Sequence, residues 1–206
     1  MDLTTIIYTL IGLIIGMTLH EAAHAFVSNW LGDETARSEG RLSLNPIVHI
    51  DPVLTVLIPL LILITSGGHA VFGAAKPVPF KPWALRYGKW GAAMVAAAGP
   101  VMNVIVAAIA ALIFDVTAIA PALLLSIVVV NLSFAVFNLI PLPPLDGSRV
   151  LYAMVPYSVR EVMDRIEQAG ILPILLLLFI GFSIIQPFIS AIVGWMAGIL
   201  VPGLAI

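Results

Sequence analysis

The chain has no cysteine, which excludes disulfide frameworks, thiolate metal sites and cysteine redox chemistry. Any transition metal must therefore be held by histidine and carboxylate. Charge is scarce as well: 10% of the 206 residues are charged against 61% hydrophobic, and the mean hydropathy is +1.13. A water-soluble domain cannot hide that much apolar surface, so the composition specifies an integral membrane protein. With no basic cluster and a net charge of -2, nothing points to nucleic acid. The length suits one membrane domain, residues 1–206, with no separate soluble domain.

Long apolar runs dominate what is there. A transmembrane helix needs roughly 20 mostly apolar residues. Residues 3–31 qualify, although His20, Glu21 and His24 interrupt the apolar pattern. This run lacks a basic n-region, Asp2 being the only charged residue before it, so it reads as a retained span rather than a signal peptide. Residues 92–114 and 118–140 are uncharged, and the short link at 115–117 makes them a helical hairpin. Residues 169–206 carry no charge and have the length for two short spans, with Gln186-Pro187 as the expected turn.

Segment 53–65 is too short for a comfortable span and contains Pro59. If it crosses, His20 and Asp146 fall near opposite faces of the bilayer. If it dips in and returns, both sit toward the cytoplasmic side, and all nine Lys and Arg lie in cytoplasmic loops, as the positive-inside rule prefers. Residues 32–52 and 67–82 set Gly and Pro around short apolar stretches, a pattern for short strands or re-entrant loops. The expected fold is an all-α polytopic membrane protein of about five to six transmembrane helices, with short β-strand or re-entrant loops near the cytoplasmic face.

His20 and His24 are four residues apart, so a helix projects both imidazoles from one face, the spacing two ligands of one zinc ion require. Glu21 lies about 100° further round, near enough to exchange a proton with a water on the metal without being a ligand. Zinc lowers the pKa of such a water to about 7, and a neighbouring carboxylate can relay its proton to a leaving amine. On a soluble helix this spacing is often a solvated face. At the end of an apolar span ionisable side chains are expensive and point to function.

Catalytic zinc takes three protein ligands and keeps an open position. Asp146 is the candidate third, in a stretch where Pro141, Pro143 and Pro144 prevent a helix and Gly147 permits a tight backbone. Its plainer reading is a cap on the following helix. Asn131 reads as interhelical glue. For Asn103 and Asn138 two roles stand open: packing, or active-site work on the substrate backbone or the oxyanion. His49 and His69 read as local hydrogen-bonding residues.

His20-Glu-Ala-Ala-His24, Gly99-Pro-Val-Met-Asn103 and Asn138-Leu-Ile-Pro-Leu-Pro-Pro-Leu-Asp-Gly147, in that order, resemble the site-2 protease family of intramembrane zinc metalloproteases. Phe72-Gly-Ala-Ala-Lys-Pro-Val-Pro79 also looks like a loop of its compact prokaryotic members, those without a PDZ or CBS domain. The resemblance implies one zinc per chain held by His20, His24 and Asp146, with Glu21 as catalytic acid and base. It implies a catalytic core at about 3–152 followed by C-terminal helices at about 169–204. It implies a multi-pass protein of a prokaryotic plasma membrane, active toward the cytoplasmic side. The substrate would be a transmembrane or signal-peptide-like segment of another membrane protein, cut within the bilayer; no oligomeric state follows. Such a segment must unwind before water can attack, and an edge at 67–80 or 32–43 could pair with its backbone.

Two rivals remain at this stage. In a divalent-metal transporter Glu21 would be a ligand, but only one span bears histidine and no second acidic cluster marks a path. A catalytically idle scaffold would have no use for Glu21.

Overall fold

A computed structural model describes residues 2–51, 55, 57, 76–117, 119–170, 172, 173, 176 and 182–202. Its first helix, α1 (Leu3–Trp30), is capped by Asp2, whose carboxylate accepts the Thr5 N–H at 2.8 Å. After α1 the chain turns through Gly32 at φ +105°, a conformation that favours glycine. It continues through the single-turn α2 (Thr35–Ser38) and a 3-10 turn at Pro46–His49. A non-helical strap, residues 76–81, and a second 3-10 turn at Pro82–Ala84 lead into α3 (Lys89–Val116). Then follow α4 (Pro121–Asn138), α5 (Asp146–Met154), α6 (Tyr157–Gln168) and α7 (Phe182–Leu200).

Helices α1, α3 and α4 pack on one another, α7 packs on α4 and α3, and α5 lies against α3. In lipid no hydrophobic force draws helices together, so close van der Waals packing between small residues must. The sequence supplies them: Gly12 and Gly16 on α1, and Gly99, Ala107, Ala110 and Ala111 on α3, are all buried. The core joins α3 to Ile127, Val128 and Leu132 of α4 and to Val193 and Ala197 of α7. Outward stripes of large apolar side chains, such as Val101, Ile105, Ile109 and Leu112 of α3, stay exposed and suit a lipid solvent. By length and composition α1, α3 and α4 can each cross a membrane, and Ile184–Leu200 is a shorter apolar helix.

The all-helical expectation holds, with differences in detail. Pro187 does not mark a turn: it lies inside α7, which runs through it. Pro in a helix is tolerated in a membrane-type bundle because neighbouring groups compensate the freed carbonyl. No strand forms among the described residues. Around 41–44 the loop bonds to itself, Ser43 carbonyl accepting His49 Nε2–H at 2.8 Å, and in the strap Pro77 and Pro79 have no N–H for a ladder. Segment 53–65, apart from Thr55 and Leu57, lies outside the described residues, as do residues 67–75 with His69 and much of 169–181.

The chain nonetheless leaves α1 and enters α3 at the same end of the bundle, because Arg86 N–H donates to the Leu31 carbonyl at 2.8 Å. All nine Lys and Arg lie in the two connections at that end, 31–89 and 139–170.

Candidate metal centre and active site

The site forms where α1 crosses α3. Gly99 sits at the contact: a Cβ there would lie 2.5 Å from His20 Cε1 and 2.5 Å from His24 Nε2, so only glycine lets both imidazoles under α3. Pro100 follows inside the helix and removes the N–H that would bond four residues back, loosening the carbonyls of the preceding turn. Val95 O, one residue before the Ala96 carbonyl that Pro100 leaves without its helical donor, accepts His24 Nδ1–H at 2.7 Å. One turn further on, Asn103 Oδ1 lies 2.7 Å from His20 Nδ1.

Asp146 comes from the opposite direction. The turn after α4 folds back so tightly that a Cβ on Gly147 would collide with the Leu139 carbonyl. Asp146 thereby opens α5 without capping it, and its Oδ2 lies 3.1 Å from His20 Nε2 and 3.4 Å from His24 Nε2. The two Nε2 atoms are 3.0 Å apart.

Both Nδ1 atoms face acceptor oxygens, so both carry the proton, and both Nε2 atoms present bare lone pairs to each other. Asp146 Oδ2 is buried there with no hydrogen bond to it. Three lone-pair atoms at 3.0–3.4 Å repel unless a cation lies among them. A proton satisfies one pair at a time, whereas a metal ion accepts all three. Tetrahedral ligands about 2.0–2.1 Å from zinc stand about 3.3 Å apart, so the set fits zinc in donor type and spacing. Among the described residues it is the one cluster of three or more His, Asp or Glu that could hold a metal.

Glu21 is buried beside the pair, and its Oε2 accepts the Val78 N–H of the strap at 3.0 Å. The strap is fastened at both flanks. Lys76 N–H donates to the His49 carbonyl at 2.9 Å, and Lys81 N–H donates to Asp33 Oδ2 at 2.5 Å. Asp33, only 2% exposed, also accepts the Thr35 hydroxyl at 2.6 Å and the Thr35 N–H at 3.0 Å. Burial works against its charge, but these hydrogen bonds outweigh it and hold the carboxyl below its ordinary pKa.

Of the other sequence candidates, Asn103 is fully buried, its Nδ2 donating to Gly16 O at 3.0 Å and to Asn131 Oδ1 at 2.9 Å. Asn138 is partly buried at the end of α4 and donates to Phe134 O at 3.0 Å. His49 bonds locally, as expected. Sequence reasoning did not find Val95, Val78 or Asp33. The first two act through main-chain atoms, which no side chain advertises, and Asp33 carries no motif. Beside the site an apolar groove of about 720 Å³ opens between α1 and α3, lined by Leu19, Ala22, Phe26, Met94, Val101 and Ile105 among others.

Comparison with known proteins adds an independent line. The profile of Peptidase family M50 matches residues 115–182. Over 199 residues the chain is 36% identical to YwhC of Bacillus subtilis (strain 168), whose name puts it among the zinc metalloproteases; the match covers 89% of this chain and 86% of that protein. It is 30% identical over 175 residues to Rip2 of Mycobacterium tuberculosis (strain H37Rv), also named for that class, covering 82% of this chain and 65% of Rip2. With Rip2 of Mycolicibacterium smegmatis the identity is 29% over 180 residues, covering 84% and 66%. No solved structure matches the chain.

Proposed function

The chain belongs to peptidase family M50, the site-2 protease family of zinc metallopeptidases, and from that premise we propose that it hydrolyses peptide bonds within transmembrane or signal-peptide-like segments of other membrane proteins. The observation that carries this reading is the convergence of His20 Nε2, His24 Nε2 and Asp146 Oδ2 within 4.8 Å, at the end of a helix long and apolar enough to span a membrane. These three residues would hold one zinc per chain. Zinc bound there supplies a Lewis acid that makes water a nucleophile near neutral pH.

The chain's own groups do the rest. Val78 N–H holds one oxygen of Glu21, which fixes the carboxylate's direction and leaves the other oxygen for the attacking water. Glu21 takes the proton as the water oxygen bonds to the scissile carbonyl carbon. It returns a proton to the amide nitrogen as the C–N bond breaks. Asn138, whose carbonyl oxygen has no partner among the described residues, is proposed to hold the substrate backbone or, by releasing Phe134, the oxyanion. Asn103 spends its polar atoms inside the bundle, so its proposed part runs through His20.

An apolar substrate segment is supported by the groove beside Ala22, and its unwound N–H groups would pair with main-chain carbonyls of the strap. The single-ended distribution of Lys and Arg supports an active site toward the cytoplasmic side of a prokaryotic plasma membrane. On the sequence reading, run 169–206 brings the spans to about five or six, within one domain of 1–206.

The test is zinc content and cleavage together. Purified wild type should hold one zinc, Asp146→Ala should lose it, and Glu21→Gln should keep it while cleaving a co-expressed signal-peptide reporter about 10²–10⁴-fold more slowly. Loss of zinc from Glu21→Gln would make Glu21 a ligand and favour a metal-transport reading instead.

A further inference from the structure

Behind His20 lies a hydrogen-bonded relay whose far member, Asn131, the catalytic reading leaves unused. Asn131 of α4 and Asn103 of α3 are both 0% exposed, in the apolar middle of the bundle. Main-chain carbonyls can only accept, so they dictate which way each amide points. Asn131 Nδ2 donates to Ile127 O at 2.9 Å and approaches Gly12 O at 3.5 Å, which turns its Oδ1 toward Asn103. Asn103 Nδ2 donates to that oxygen at 2.9 Å and to Gly16 O at 3.0 Å, which turns its own Oδ1 to His20 Nδ1 at 2.7 Å.

An acceptor at that position requires the proton on Nδ1 and leaves Nε2 bare, facing His24 and Asp146. Reversing Asn103 would set an N–H against Nδ1 and put the proton on Nε2, where it blocks a metal; reversing Asn131 would set its N–H against Asn103 Nδ2 and favour that reversal. Glue between helices needs only that the amides bond. This arrangement also needs them to point one way. The room for it comes from Gly16, where a Cβ would lie 2.6 Å from Asn131 Oδ1 and 3.2 Å from Asn103 Nδ2.

We propose that Asn131, acting through Asn103, is a positioning residue that fixes His20 in its Nδ1-protonated tautomer and so keeps its Nε2 available to the metal. The functional consequence rests on the zinc reading above; the tautomer does not.

The experiment uses the full chain in detergent micelles, with ¹⁵N-labelled histidine, stripped of metal, at alkaline pH where imidazoles are neutral. The ring ¹⁵N shifts report the tautomer, with His20 assigned against His20→Ala, and zinc affinity is measured separately by chelator competition. Wild type should show His20 protonated on Nδ1. Asn131→Leu, nearly isosteric but without polar atoms, should mix the two tautomers and bind zinc about 10–100-fold more weakly. Asn103→Asp, which keeps an acceptor toward His20, should retain the Nδ1–H tautomer and provides the test if Asn131→Leu does not fold.

A wild-type His20 protonated on Nε2 would overturn the proposal. So would an Asn131→Leu chain that loses zinc affinity with its tautomer unchanged, since that describes glue alone. So would a folded Asn103→Asp chain that loses the Nδ1–H form. A wild type with the expected tautomer but no zinc binding would instead sink the zinc reading.

Discussion

Gly99 shows how much of the site depends on a residue without a side chain. It brings α3 against the two imidazoles, and the Val95 carbonyl and Asn103 then supply partners for their Nδ1 atoms. Gly99→Ala should therefore displace both rings. Overpacking of this kind costs about 1–3 kcal/mol, so zinc affinity should fall by about 5- to 150-fold if that cost falls on the bound state. Gly198→Ala, where a Cβ would meet nothing within 4 Å, should leave zinc affinity alone and slightly raise thermal stability. Zinc competition and melting curves on the two variants check both outcomes. His20, Glu21, His24 and Asp146 stood out in the sequence because ligand chemistry admits few residue types. A further signal was available: Gly12, Gly16, His20 and His24 form one i, i+4 row on α1, the face that meets Asn131, Asn103 and Gly99.

The strap is the element that sequence patterning described least well. Gly and Pro across 67–82 suggested a strand edge, yet in the described part Lys76, Val78 and Lys81 spend their N–H groups inward, on His49, Glu21 and Asp33. Each of the three precedes a proline, which keeps it extended. Asp33 anchors the far end, and the anchor is charge-dependent. Its folded pKa is lowered, so it contributes stability that is present above the unfolded carboxylate value of about 3.8 and lost as pH falls through the lower folded value. Asp33→Asn should lower stability at neutral pH by about 1.5–3 kcal/mol, the scale of hydrogen bonds to a charged group. The gap to wild type should stay constant down to about pH 4 and then close. Thermal unfolding in micelles from neutral to acid pH reads this directly; a gap that persists undiminished at acid pH would remove Asp33 as the anchor.

At the scale of the whole molecule, three long apolar helices and a hydrogen bond between Leu31 and Arg86 put both motif-bearing connections at one end. The opposite end holds Asp2 and Asp115 and no basic residue among the described ones. Because the chain has no cysteine, single-cysteine labelling maps this cleanly. In intact bacterial cells a membrane-impermeant thiol reagent should label exposed Asp115→Cys and spare exposed Ser158→Cys until the membrane is opened. The reverse pattern would invert the orientation. Sequence alone determined the membrane class, the long spans and the ligand candidates, because hydrophobic length and metal chemistry are properties of residue type and spacing. Only the tertiary structure decided that α7 runs through Pro187, that the strap turns inward onto Glu21, and which way the buried amides point. Those features depend on main-chain atoms and on partners distant in sequence, and neither is written in the identity of a residue.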